Sequence, residues 1–136
     1  TIIHLAAVHF DFQTKYFETN VKGTRNVIDF LSKHDNIKKY VYFSSVATYG
    51  DSINGKDEHA LQEPYNDYGK SKLEAEKLIL EWHKKFNHIQ TVIVRPAVVF
   101  GEFNFGNVFN AFLAPLNILY KFPSSMLLVS QLSRAD

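Results

Sequence analysis

The sequence predicts an α/β fold built on a parallel, doubly wound sheet, and three observations predict it. Apolar or aromatic runs suited to strands recur at Thr1–Leu5, Lys39–Ser45 and Gln90–Val94. Two longer stretches with helical spacing of apolar residues separate them. Each run is followed by small or polar residues: Ala6–Ala7, Ser44–Ser45 and Pro96–Ala97. Strand–helix alternation of this kind favours parallel strands joined by right-handed crossovers, with helices on the sheet faces. Ligands on such sheets bind beyond the carboxyl ends of the strands.

Each element has its own grounds. Ile2, Ile3 and Leu5 make a short buried-strand pattern. From Lys15 to His34 the residues Phe17, Val21, Thr24, Ile28 and Leu31 step by four and three, one face of a helix, while Arg25 and Asn26 face solvent. Tyr40, Val41, Tyr42 and Phe43 alternate as a strand does. Between 50 and 66 the glycines, Asn54, Asp57 and Pro64 are loop chemistry. A second helix is expected from Asp67 to Phe86. Its inner face is Ala75, Ile79, Trp82 and Phe86, and its charged outer face is Glu74, Lys77, Glu81 and Lys84. Gln90–Val94 is a third strand, stopped by Arg95–Pro96. Beyond Gly101 the pattern weakens, although Met126–Val129 suits one more short strand.

Composition excludes several functions. With 136 residues there is material for one modest core. A net charge of +1 is not the basic excess of a nucleic-acid surface. Without cysteine there are neither disulfides nor thiolate metal sites, and the six histidines have no metal-pair spacing, so no metal is expected. No apolar run reaches membrane-spanning length, and no signal peptide opens the chain. The chain begins at Thr1 directly on a strand-like run, which suggests a piece of a longer protein.

The residues that carry chemistry are Tyr68 and Lys72. Four apart in the first turns of a helix, they lie on one face, which continues through Ala75 and Ile79 toward the core. A phenol titrates near pH 10 and is a poor base. An adjacent ammonium favours the phenolate, and a second positive charge nearby would favour it further. Ser45, ending the preceding strand, could hydrogen-bond the same substrate oxygen. Such a group can exchange protons near neutrality. The Y-x-x-x-K spacing alone is weak, since an ordinary helix can hold a Tyr and a surface Lys this far apart.

Several blocks occur together in order: IIHLAA at Ile2–Ala7, NVKGTRNV at Asn20–Val27, YVYFSSVATYG at Tyr40–Gly50, YGKSKLEAE at Tyr68–Glu76 and RPAVVFGE at Arg95–Glu102. With these blocks the chain resembles the NAD-dependent epimerase/dehydratase family, the extended short-chain dehydrogenases/reductases, and in particular sugar-nucleotide 4-epimerases. The resemblance implies a partial Rossmann-type domain. Its second half, with the catalytic residues, would lie at 1–106, and an atypical tail at 107–136 would replace the start of a substrate lobe. It implies Ser45, Tyr68 and Lys72 as the catalytic triad, with Tyr68 as acid/base and Lys72 lowering its pKa and holding the nicotinamide ribose. It further implies that Leu5, Ala6, Ala7, Ser44, Pro96 and Ala97 line the cofactor and that Asn20 steadies the active-site backbone or a water. The implied cofactor is NAD, with NADP open, and the implied substrate is a nucleotide sugar. A cytoplasmic homodimer is expected of the full-length parent.

Departures from the family pattern shape these expectations. The six glycines cannot form G-x-x-G-x-x-G, the loop that carries the pyrophosphate at a helix N-terminus. That loop, and the acidic residue that reads the adenosine ribose, are expected upstream of Thr1. This piece alone is therefore expected to bind NAD poorly and to be inactive, and its first strand should present an open edge. Val98 stands where some sugar epimerases have Asn, and Val46–Ala47 stand where dehydratases carry acidic residues, which favours epimerase or dehydrogenase. The alternatives are a reductase or dehydrogenase of the hydroxysteroid or flavonol type and a non-catalytic NAD(P)-sensing or truncated protein.

Overall fold

The computed structural model describes residues 1–9, 15–50, 56–97 and 99 and, as backbone only, 132–134. Three parallel strands form the sheet: β1 (Ile2–His4), β2 (Lys39–Phe43) and β3 (Gln90–Val94), side by side in chain order. The register pairs Ile3 with Val41 and Val41 with Val92. A short strand, β4 (Leu132–Arg134), pairs antiparallel with β3. The expected strand at Met126–Val129 lies outside the described residues, as do Val98 and nearly all of 107–136.

Helices α1 (Gly23–Leu31) and α2 (Asp67–Lys85) connect the parallel strands. The buried cluster joins Ile28 and Leu31 of α1, Tyr40 and Tyr42 of β2, Ala75, Ile79 and Trp82 of α2, and Ile93 of β3. Both helices thus pack on the sheet face that carries the two tyrosines. The opposite face, with Ile3, Val41, Phe43 and Val92, is only partly covered or exposed among the described residues. Among the described residues β1 lies at one end of the strand order.

The first helical stretch differs from its expected form. Phe17–Lys22 is a π-helix that runs directly into α1. Hydrogen bonding to the fifth residue instead of the fourth shifts the inward face. Asn20 rather than Phe17 or Val21 becomes the buried member of the row that continues through Thr24, Ile28 and Leu31, and Phe17 is exposed. The Thr24 hydroxyl donates to the Asn20 carbonyl at 2.6 Å.

α2 follows its pattern closely. Asn66 caps it, its side chain accepting from the Gly69 amide at 2.7 Å. Lys77–Glu74 and Lys84–Glu81 form exposed ion pairs at 2.7 Å on its outer face. Gly69 is required by the packing. A Cβ there would collide with the Ala47 carbonyl oxygen, so only glycine lets α2 approach the 3₁₀ turn Val46–Tyr49 after β2. Gly50 ends that turn at φ 71°, pressed against the Glu63 carbonyl.

Candidate active site

The parallel strands bring their carboxyl ends to one edge. Beyond the ladder, the Ser44 amide donates to the Val94 carbonyl at 2.7 Å and the Val46 amide to the Pro96 carbonyl at 3.1 Å. These bonds set Ser44–Ser45 beside Pro96–Ala97. Leu5, Ala6 and Ala7 continue from β1 and are exposed at the same edge. The close approach allowed by Gly69 brings the first turn of α2 over this edge.

Tyr68 and Ser45 meet there. The Ser45 hydroxyl lies near enough to the Tyr68 phenol to favour its ionised form, and it accepts from the Ala47 amide at 3.2 Å. Lys72 is almost wholly buried. Its ammonium donates to the Phe43 carbonyl at 2.7 Å and the Tyr42 hydroxyl at 3.3 Å, and lies 4.7 Å from the Tyr42 ring centroid.

The electrostatics depart from the sequence expectation. Burial raises the Tyr68 pKa above its usual value. The Ser45 hydroxyl opposes that rise, and Tyr16 adds to it. The Lys72 ammonium itself is held at the end of β2 by the Phe43 carbonyl and the Tyr42 hydroxyl. Burial also pulls Lys72 down to about 8, partly offset by the negative charge of Glu76. Lys72 is still mostly charged at neutral pH.

Two features bear on a ligand. Ser44 Oγ is buried and has no hydrogen-bond partner among the described residues. Such an atom is costly unless something satisfies it. Asn20 is buried and grips the loop after β1. Its Oδ1 accepts from the Val8 amide at 2.8 Å, and its Nδ2 donates to the Val8 carbonyl at 3.1 Å.

Several neighbours were not foreseen. The His9 ring stands edge-on to Tyr68 at 4.7 Å, and the Tyr16 ring lies 6.1 Å from it. His4 is buried, with Nδ1 2.8 Å from the Tyr40 hydroxyl. Arg95, read as a strand stop, binds Glu76 through Nε at 3.0 Å and Nη2 at 2.8 Å and donates to the Tyr49 hydroxyl. Gln62 donates to the same carboxylate at 2.9 Å. Steps of four from Tyr68 through Lys72 reach Glu76, so the spacing held a signal for this pair. Among the described residues no cluster of His, Asp or Glu could hold a metal ion, and no helix is long and apolar enough to cross a membrane.

The family described as "NAD dependent epimerase/dehydratase family" matches residues 1–118. The N-acetyl-alpha-D-glucosaminyl-diphospho-ditrans,octacis-undecaprenol 4-epimerase of Escherichia coli O157:H7 is 42% identical over 81% of this chain and 34% of its own length. The decarboxylating sterol-4-alpha-carboxylate 3-dehydrogenase of Saccharomyces cerevisiae is 35% identical over 74% of the chain and 30% of its own length. Among solved structures, UDP-glucuronic acid 4-epimerase from Bacillus cereus in complex with NAD superposes with a TM-score of 0.65 at 32% identity, covering 73% of this chain and 32% of that one. The chain spans about a third of the length of the curated relatives it matches.

Proposed function

The chain belongs to the NAD dependent epimerase/dehydratase family, and we propose that it is the catalytic portion of an NAD-dependent sugar-nucleotide epimerase. The observation that carries this reading is the gathering of Ser44–Ser45, the Lys72 ammonium and the Tyr68-bearing first turn of α2 at the carboxyl edge of a parallel sheet.

The residues suit a nicotinamide coenzyme. Ser44 Oγ, without a hydrogen-bond partner among the described residues and adjoining the Phe43 carbonyl that holds Lys72, is a ready polar contact. Lys72 would hold the nicotinamide ribose, Ser44, Pro96 and Ala97 would line the ring side, and Leu5, Ala6 and Ala7 would line the rest. Asn20 would keep the loop after β1 in place. A nicotinamide coenzyme bound there supplies the acceptor and donor of hydride.

The protein's own work is proton transfer. Tyr68 accepts the proton of a sugar hydroxyl as that carbon is oxidised to a ketone, and returns it when the ketone is reduced on its opposite face. Ser45 hydrogen-bonds the same oxygen. Burial raises the Tyr68 pKa, so the phenol needs positive charge nearby to work near neutrality. Lys72, mostly protonated at pH 7, supplies part of it once its ammonium turns toward the ribose and the phenol. The full-length protein would act in the cytoplasm as a homodimer.

Val46–Ala47 after Ser45 support an epimerase over a dehydratase. The similarity to a sterol dehydrogenase supports a second reading, a one-way NAD(P)-dependent dehydrogenase. Proton NMR of the full-length protein with coenzyme and UDP-sugars separates them. The epimerase reading expects inversion at one sugar carbon with no net reduced coenzyme. Reduced coenzyme accumulating in step with substrate loss would contradict it and favour the dehydrogenase. Turnover of a polyprenyl-diphosphate-linked sugar alone would move the substrate from nucleotide to lipid carrier.

A further inference from the structure

The same region contains a polar connection that none of the roles above uses. Ser71 is fully buried on α2, one turn after Tyr68. Its hydroxyl donates to the Tyr68 carbonyl at 2.7 Å. Back-bonding of this kind is ordinary for a serine inside a helix and alone would need no further account. The same oxygen, however, also accepts from Asn20 Nδ2 at 3.0 Å, across 51 residues of sequence. A hydroxyl has one proton and two lone pairs. Here the proton is committed to the turn that bears Tyr68, and a lone pair is committed to the π-helix.

Asn20 is engaged at both ends of its amide. Its oxygen takes the Val8 N–H, and its two N–H groups go to the Val8 carbonyl and to Ser71. Swapping the amide's oxygen and nitrogen would break both bonds to Val8 and leave Ser71 to choose between Asn20 and the Tyr68 carbonyl for its one proton. The connection therefore runs from the Val8 peptide through Asn20 and Ser71 to the Tyr68 carbonyl. It closes on itself, because His9, next to Val8, sets its ring edge-on to the Tyr68 ring at 4.7 Å.

Tyr68 is the second residue of α2. The first turn of a helix lacks part of its hydrogen-bond ladder and is where helices fray. A phenol that must meet Ser45 and a substrate oxygen cannot ride on a loose turn. We propose that Ser71 is a positioning residue for Tyr68, coupling the phenol-bearing turn of α2 through Asn20 to the loop after β1. Serine suits the position because alanine would lose both bonds and strand a buried Asn20 N–H. The inference rests on the reading of Tyr68 as the acid/base.

The test uses the full-length protein that contains this chain, with Ser71→Ala, Ser71→Thr and Tyr68→Phe. A misplaced reacting group costs up to about 100-fold in rate. Ser71→Ala should lower kcat by about 10- to 100-fold, with KM and coenzyme affinity within about two-fold. It should also speed hydrogen exchange at the Val8 amide by about ten-fold or more. Ser71→Thr, which keeps the hydroxyl, should recover most of both losses. Unchanged kcat and unchanged Val8 exchange in Ser71→Ala would overturn the proposal, as would a rise in KM that accounts for the whole effect. An active Tyr68→Phe would instead sink the functional reading, and Val8 exchange would then judge the coupling alone. Should Ser71→Ala fail to fold, the nearly isosteric Ser71→Cys, with weaker hydrogen bonds, is read by the same measurements.

Discussion

The two halves of α2 bury the same side of one helix in opposite ways. The first half turns Ser71, Lys72 and Glu76 inward, all polar and all nearly inaccessible, with Tyr68 half-buried above them. The second half buries Ile79 and Trp82, with Phe86 partly covered. Burial of polar groups costs stability unless each is satisfied. In the first half that cost is offset by tertiary bonds to β2, the π-helix and Arg95. The second half holds the fold mainly through apolar area, with Trp82 Nε1 donating to the Ser32 hydroxyl at 2.7 Å and His83 Nδ1 3.2 Å from the Thr91 hydroxyl. The contrast separates a half that carries the residues of the proposed chemistry from a half that carries apolar core.

Substitutions sharpen the contrast, and the largest effect is expected at Lys72. In the full-length protein, Lys72→Met should lower turnover by about 100- to 10,000-fold while removing a buried charge. Steady-state kinetics beside thermal melting check that activity and stability part company there. Cutting the buried Arg95–Glu76 pair by Arg95→Met should destabilise by about 3–5 kcal/mol, read by denaturant unfolding. Little loss would mean the carboxylate finds another partner. Ile79→Ala, in the apolar half, should cost about 2–5 kcal/mol and leave kcat largely unchanged in the folded protein.

A smaller effect concerns pH. Lys72 titrates near 8 when folded and near 10.5 when unfolded. Between those values the unfolded chain holds more protons, so stability contributed at this site rises with pH across that window. Tyr40 and Tyr42, raised by burial, act in the opposite sense above their usual value of 10.0, where only the unfolded chain readily loses the phenolic proton. Melting temperature should therefore climb from about pH 8 toward 10 and fall beyond it. Lys72→Met should flatten the climb, a difference of about 1–3 kcal/mol. An identical climb in the variant would place its cause elsewhere. Smallest of all, Glu81→Gln on the exposed face should change stability by less than about 0.5 kcal/mol.

The same contrast explains what the sequence disclosed. Period and composition suffice where burial is apolar, so β3, the span of α2 and the row Ala75–Ile79–Trp82 were legible. Tyr68, Lys72 and Ser45 were singled out as candidates by spacing and by the ordered blocks around them, and the structure sets them near the same edge of the sheet. The π-helix was not, because a one-residue change of hydrogen-bonding step leaves no compositional mark, and so Phe17 was expected on the face that Asn20 occupies. Ser71, Glu76 and Arg95 were passed over because buried polar residues look like surface residues until their distant partners are known. The direction of the Lys72 ammonium lay beyond reach for the same reason: its partners are a backbone carbonyl and a tyrosine that reads as strand core.

The central claim is that Tyr68 does the proton chemistry of a nicotinamide-dependent sugar epimerase. Single-turnover kinetics of Tyr68→Phe in the full-length protein, with coenzyme binding followed by calorimetry, tests it most directly. Turnover should fall by at least about 100-fold with coenzyme affinity essentially unchanged. Turnover close to that of the unaltered enzyme would contradict it.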